Sequence, residues 1–108
     1  MAITTAISLY RGEDTTIDFT MADGDDITGW VIVFTVSRSK NISTKLFAKT
    51  CTLTTPESGL FQTTVDAEDT EDLQPGRYYW DAWRTDSSAA RLLGVGAFTI
   101  LSNVRIPV

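Results

Sequence analysis

Residues 73–84 read Leu-Gln-Pro-Gly-Arg-Tyr-Tyr-Trp-Asp-Ala-Trp-Arg, and no other segment of the sequence is as informative about the fold. Pro75 and Gly76 predict a tight turn, because proline presets φ and glycine tolerates positive φ. The residues that follow are too aromatic and alternate too closely for a helix, and they include two of the three tryptophans of the chain. We therefore expect a turn that leads directly into an aromatic β-strand.

Side chains of a β-strand point alternately to its two faces. The sets here are Tyr78, Trp80 and Ala82 on one face, and Tyr79, Asp81 and Trp83 on the other. We expect the first set to pack in the core. The second face carries a charge, so core packing and exposure both stay open for its two aromatic residues. Tyr78 also resembles the tyrosine corner of immunoglobulin-like sandwiches, whose hydroxyl bonds the backbone a few residues upstream.

The same alternation recurs along most of the chain. Thr15–Met21 has apolar residues at every second position, which is typical of a strand with one wet face. Gly29–Ser37 is apolar on both faces and predicts a central strand. Its expected inward residues are Trp30, Ile32, Phe34 and Val36.

Further strands are predicted over 3–10, 45–53, 60–65 and 91–100. The apolar alternation is not clean over 45–53, where a bulge would shift its phase. Only 66–72, five of whose seven residues are acidic, suits a helix of a turn or two. About seven strands without an amphipathic helix predict an all-β fold, an antiparallel β-sandwich that forms one domain over residues 1–108.

Composition argues against most functional classes. The net charge of −5 repels nucleic-acid phosphate, and the nine basic residues are scattered singly. The chain has no histidine, and its lone Cys51 lacks a base to activate it, so we expect no catalytic residue and no cofactor. We also expect synthesis in the cytoplasm without a signal peptide, and no membrane partner.

Two acidic clusters have the residue types of a metal or hydrolytic site. Asp23–Asp26 lacks the ligand spacing and closing glutamate of a calcium loop, so a turn is the better interpretation. The acidic residues of 66–72 lie on one short polar segment, with no partner that would separate their pKa values. We expect no metal site in either cluster.

Four segments together resemble small immunoglobulin-like proteins of phages and prophages. They are Tyr10–Phe19, Asp26–Val36, Gly59–Phe61 and Leu73–Asp81. Their layout is similar to the N-terminal domain of phage baseplate upper proteins, in which a Gly-Asp strand precedes an Asp-apolar-Thr-Gly element and, later, a Leu-x-Pro-Gly-x-Tyr corner. Asp26–Gly29 is the most telling element. The resemblance implies an immunoglobulin-like sandwich with a structural, noncatalytic and virion-associated role, and with tail or baseplate proteins or a second copy as partners.

A second interpretation stays open beside it. Tyr79 and Trp83 could stack against a carbohydrate or another ligand if their face is exposed. The two interpretations differ in their expected gene neighbours, which are phage structural genes for the first and glycoside-degrading genes for the second.

The end of the sequence is a candidate assembly segment. It stays apolar after the last predicted strand, and Arg105 is its one charge. The segment either lies along its own domain or docks against a neighbouring chain. The apolar residues concerned are Leu101, Val104, Ile106 and Val108.

Overall fold

The computed structural model describes residues 3–21, 26–39, 45–86 and 90–102. Within them, the strands in chain order are β1 (Ile3–Thr4), β2 (Ile7–Tyr10), β3 (Thr15–Thr20), β4 (Ile32–Ser37), β5 (Lys45–Thr50), β6 (Thr52–Thr55), β7 (Leu60–Val65), β8 (Gly76–Arg84) and β9 (Arg91–Leu101). A short 3-10 helix over Pro56–Ser58 follows β6, and helix α1 (Ala67–Thr70) lies between β7 and β8.

The strands form two packed sheets. The smaller sheet has the order β3-β7-β6. The larger sheet has the order β1-β9-β8-β4-β5. β1 and β2 lie one after the other along the same edge of β9. These orders match strands B, E, D and G, F, C, C′ of the immunoglobulin fold. The predicted all-β sandwich is confirmed.

The N-terminal segment forms an edge of the larger sheet and pairs in parallel with β9, whereas the other strand pairs are antiparallel. Ile7 lies opposite Phe98 and Leu9 opposite Ile100, so the apolar side chains of both strands enter the core together. This pairing covers the edge of β9 that would otherwise be open. Alternation within each strand predicts its inner face but not the direction of its neighbour.

The irregular segment 45–53 changes sheets. β5 pairs with β4 in the larger sheet, whereas β6 pairs with β7 in the smaller one. Cys51 lies at the crossing, is buried, and donates its backbone N–H to the Ile32 carbonyl at 2.8 Å. A segment that serves two sheets presents different faces to the core, which explains why its alternation is broken. A register shift also occurs at Val36/Ser37.

The aromatic strand β8 supplies the centre of the core. Its inner residues Tyr78, Trp80 and Ala82 are all at most 4% exposed, as predicted. The Trp80 ring packs 5.2 Å from the Phe19 ring and 5.6 Å from the Phe34 ring, measured between centroids. Aromatic pairs at this separation stabilise a core beyond the area that they bury.

The predicted start of the central strand needs correction. The strand begins at Ile32 rather than Gly29. Ile32, Phe34 and Val36 are fully buried, as predicted, and Trp30, which precedes the strand, is half-buried and packs against the core. The preceding element turns instead of extending, because the Asp26 carboxylate accepts hydrogen bonds from the Thr28 N–H at 3.0 Å and the Thr28 hydroxyl at 2.6 Å. The Asp-Ile-Thr-Gly element is therefore an Asx turn that leads into β4. Residues 23–25 of the first acidic cluster lie outside the described residues.

The corner between β7 and β8 has the predicted form. The Tyr78 hydroxyl donates to the Gln74 carbonyl at 2.6 Å, as in a tyrosine corner, and Gly76 has a φ of +152°. Helix α1 is one turn long, within the predicted limit. Its acidic segment does have a partner: Lys49 Nζ lies 3.0 Å from Asp66 and 2.8 Å from Asp69. These contacts attach the corner to β5 and give the cluster a structural role.

Candidate functional site

The outer face of the larger sheet carries an open groove with a volume of about 750 Å³, which we call the outer groove. Most of its side chains come from the outward positions of β8, β9 and β4. The lining includes Arg77, Tyr79, Asp81 and Trp83 on β8, Val95 and Ala97 on β9, and Thr35 and Ser37 on β4, together with Thr4 on β1 and Ser39 after β4. The structure therefore places both sequence-predicted stacking residues, Tyr79 and Trp83, in one concave surface.

Tyr79 and Trp83 differ in exposure. Tyr79 is half-buried, and Trp83 is 37% exposed. Four residues of a β-strand separate them by about 13 Å, since each residue advances the chain by about 3.4 Å. The two rings are thus separate contact points along β8, with Asp81 midway between them.

Asp81 is the acidic residue of the outer groove. Its neighbours across the sheet are Thr35 on one side and Val95 on the other, both uncharged. Desolvation by this partly buried environment raises the pKa of Asp81, and a hydrogen bond from the Trp83 side chain opposes the rise. Among the described residues, no ion pair involves this carboxylate.

Arg77 supplies the positive charge of the groove. Its guanidinium carbon lies 5.9 Å from the centroid of the Tyr79 ring, close enough for a cation–π contact, and the side chain is exposed. Arg77 is not among the site residues predicted from the sequence. The signal was present, because Arg77, Tyr79, Asp81 and Trp83 are alternate residues of one strand and must share a face.

Further apolar exposure lies at the end of the same sheet. Tyr10 of β2 is paired in register with Leu101 of β9, and the two are 50% and 37% exposed. Leu101 is the one predicted assembly residue that the structure describes. Val104, Ile106 and Val108 lie outside the described residues.

Trp30 is surrounded by charged side chains. The guanidinium carbons of Arg84 and Arg91 lie 4.2 Å and 5.7 Å from the centroid of its ring. Asp86 accepts hydrogen bonds from Arg84 Nε at 2.9 Å and from the Val31 N–H at 3.1 Å. The Arg84 hydrogen bond is the main reason that the pKa of Asp86 falls to about 2. Trp30 is thus covered by its own chain and offers less free ring surface than Trp83.

The one thiol of the chain, Cys51, is buried. Burial raises the pKa of Cys51 to about 11, so this thiol stays protonated and weakly nucleophilic at neutral pH. No group of three or more cysteine and acidic side chains that could hold a metal ion occurs in the described ranges. In the same ranges, no helix has the length and apolar character needed to cross a membrane.

No protein-family model matches the chain, and a search of curated proteins found no significant match.

Proposed function

We propose that this chain is a noncatalytic structural module of a phage or prophage particle, associated with its tail or baseplate, that acts through protein–protein contacts. The phage assignment rests on the resemblance of four segments to immunoglobulin-like phage proteins. The location of the contact rests on one structural observation, which is the outer groove with its two aromatic side chains and two opposite charges.

The chemistry of the outer groove suits a protein partner. Protein interfaces are enriched in tyrosine, tryptophan and arginine, and the groove contains one of each in Tyr79, Trp83 and Arg77. Rigid aromatic side chains lose little conformational entropy when a partner covers them. The exposed Tyr10 and Leu101 extend the apolar surface to the end of the sheet.

Particle composition tests this function. We expect the protein to co-purify with particles from an induced host on a density gradient, and we expect the double variant Tyr79→Ser/Trp83→Ser to be lost from them. The matched control is Thr16→Ala/Thr64→Ala, which removes two exposed side chains from the outer face of the smaller sheet. Particles that lack the protein, or that retain the aromatic double variant at the wild-type level, would contradict the proposal.

A carbohydrate-binding role is the second candidate, and one observation favours it. A carboxylate lies between two aromatic rings on one strand, with the hydroxyls of Thr35 and Ser37 on the adjacent strand. Rings can stack on sugar faces while Asp81 and the hydroxyls bind sugar hydroxyls. Calorimetric titration with neutral oligosaccharides tests this role. Binding that Trp83→Ala abolishes would support it, and an absence of heat across a broad panel would reject it.

A further inference from the structure

The charges of the outer groove are arranged symmetrically about one residue. Arg77 and Asp81 are, among the described residues, the charged side chains that line the groove, and each lies two residues from Tyr79 on the same face of β8. Four residues of strand separate them by about 13 Å, which is too far for an ion pair within the chain. Each of the two charged side chains can therefore contact a partner molecule, but the two cannot contact each other.

This arrangement is self-complementary. A twofold axis in the plane between two facing sheets, passing over Tyr79 and perpendicular to β8, reverses the direction of the second β8 strand. It then places Arg77 of each copy opposite Asp81 of the other, since each is two residues from the axis. We propose that the outer groove binds a second copy of this chain, with Arg77 and Asp81 exchanged between the copies as two equivalent ion pairs.

The residues around the axis permit a close approach. The neighbours of Tyr79 across the sheet are Ala97 on β9 and Ser37 on β4, both small. Facing sheets pack about 10 Å apart, so small flanking residues leave space for the two tyrosine rings. The long Arg77 side chains, exposed in the single copy, can extend across the groove toward the opposite Asp81.

The size of the face is adequate for a dimer. The larger sheet is five strands wide, about 24 Å at about 4.8 Å per strand, and β8 extends for about 30 Å. The product, about 700 Å², is close to the ~800 Å² that each partner contributes to a standard interface. The inference rests on the proposed function in one respect, namely that this face is a protein contact.

Charge reversal provides the test, with association measured by sedimentation velocity over a concentration series. We expect the wild-type protein to dimerise and Arg77→Asp or Asp81→Arg alone to weaken dimerisation about tenfold or more, because each brings like charges together twice. An equimolar mixture of the two variants should recover association as a heterodimer, and Arg77→Asp/Asp81→Arg in one chain should recover it as a homodimer. Circular dichroism checks that every variant is folded.

A wild-type protein that stays monomeric at about 1 mM, or single variants that associate normally, would overturn the inference, and so would a failure of both complementing arrangements to recover association. These outcomes are separable from those of the particle experiment. A protein that is monomeric but is still incorporated into particles through Tyr79 and Trp83 would support the assembly function with a different partner. A protein that dimerises but is absent from particles would support the dimer interface and contradict the phage role.

Discussion

The indole N–H of Trp80 donates to the carbonyl oxygen of Thr5 at 3.0 Å, across 75 residues of sequence. Thr5 lies in the short break between β1 and β2, so this bond holds the N-terminal segment against the centre of the core. The indole also lies over Gly94 and Gly96 of β9, where a β-carbon at Gly94 would come within 2.8 Å of Trp80 Cη2. Gly94 is therefore required by the close approach of the ring, and Gly96 by the Thr5 backbone together with the ring.

We expect Trp80→Phe to lower the free energy of unfolding by about 2 kcal/mol. About 1 kcal/mol comes from the lost hydrogen bond and the rest from the smaller ring in a packed site. Urea denaturation measures the total, and hydrogen exchange should show faster exchange in β1 and β2. The matched control is Trp83→Phe on the exposed face of the same strand, which should cost less than about 1 kcal/mol. Equal losses in the two variants would contradict this role for Trp80.

Gly96→Ala should be more destabilising than Gly94→Ala. At Gly96 the added β-carbon would overlap the Thr5 carbonyl oxygen and come within 2.7 Å of Trp80 Nε1, whereas at Gly94 its nearest neighbours are side-chain atoms. Overpacking of this kind costs about 1–3 kcal/mol, and here it must displace backbone. Thermal unfolding of the two variants tests this order of destabilisation. The reverse order would show that the N-terminal segment can move away from β9 at little cost in free energy.

The hydroxyl of the corner residue Tyr78 should contribute to stability. Tyr78→Phe removes the donor to the Gln74 carbonyl and should cost about 1 kcal/mol, since the ring itself stays buried. The denaturant midpoint measures this loss. A midpoint equal to that of the wild-type protein would mean that the corner bond does not contribute to stability.

Asp81→Asn should stabilise the single copy at neutral pH while weakening dimerisation. Desolvation raises the pKa of Asp81 in the folded state above its unfolded value. For a carboxyl group with a raised pKa, full stability exists below the unfolded pKa and is lost as the pH rises through the folded pKa. Unfolding measured from pH 3 to pH 7 on dilute protein should show a smaller decline for the variant. A variant that is less stable than the wild-type protein at pH 7 would contradict the expectation.

Much of the sandwich could be predicted because alternation reports burial directly. The inward set of β8 and the tyrosine corner both follow from local pattern and turn chemistry. The parallel edge of β1 and β2 and the change of sheet at Cys51 could not be predicted, because pairing partners are set by contacts distant in sequence. The start of the central strand could not be predicted either, since the Asp26 turn interrupts the extended chain before β4 begins.

The candidate site was predictable in part. Tyr79 and Trp83 were selected as residues of one face, and the structure places both in the outer groove. Alternation could not show whether the outer face of the larger sheet is exposed, because the same pattern occurs in sheets with a buried outer face and in sheets with an exposed one. The role of Arg77 and Asp81 as complementary charges could not be predicted, because it depends on the outer groove and on the uncharged neighbours of Asp81, which only the structure shows.

We propose that the outer groove is the contact surface of a particle component. Site-specific photo-cross-linking in assembled particles tests it most directly, with a photoreactive phenylalanine at position 79 and, as control, at position 64 on the outer face of the smaller sheet. We expect cross-links from position 79 to a second copy or to another particle protein, and few from position 64. Equal cross-linking from both positions, or none from position 79, would contradict it.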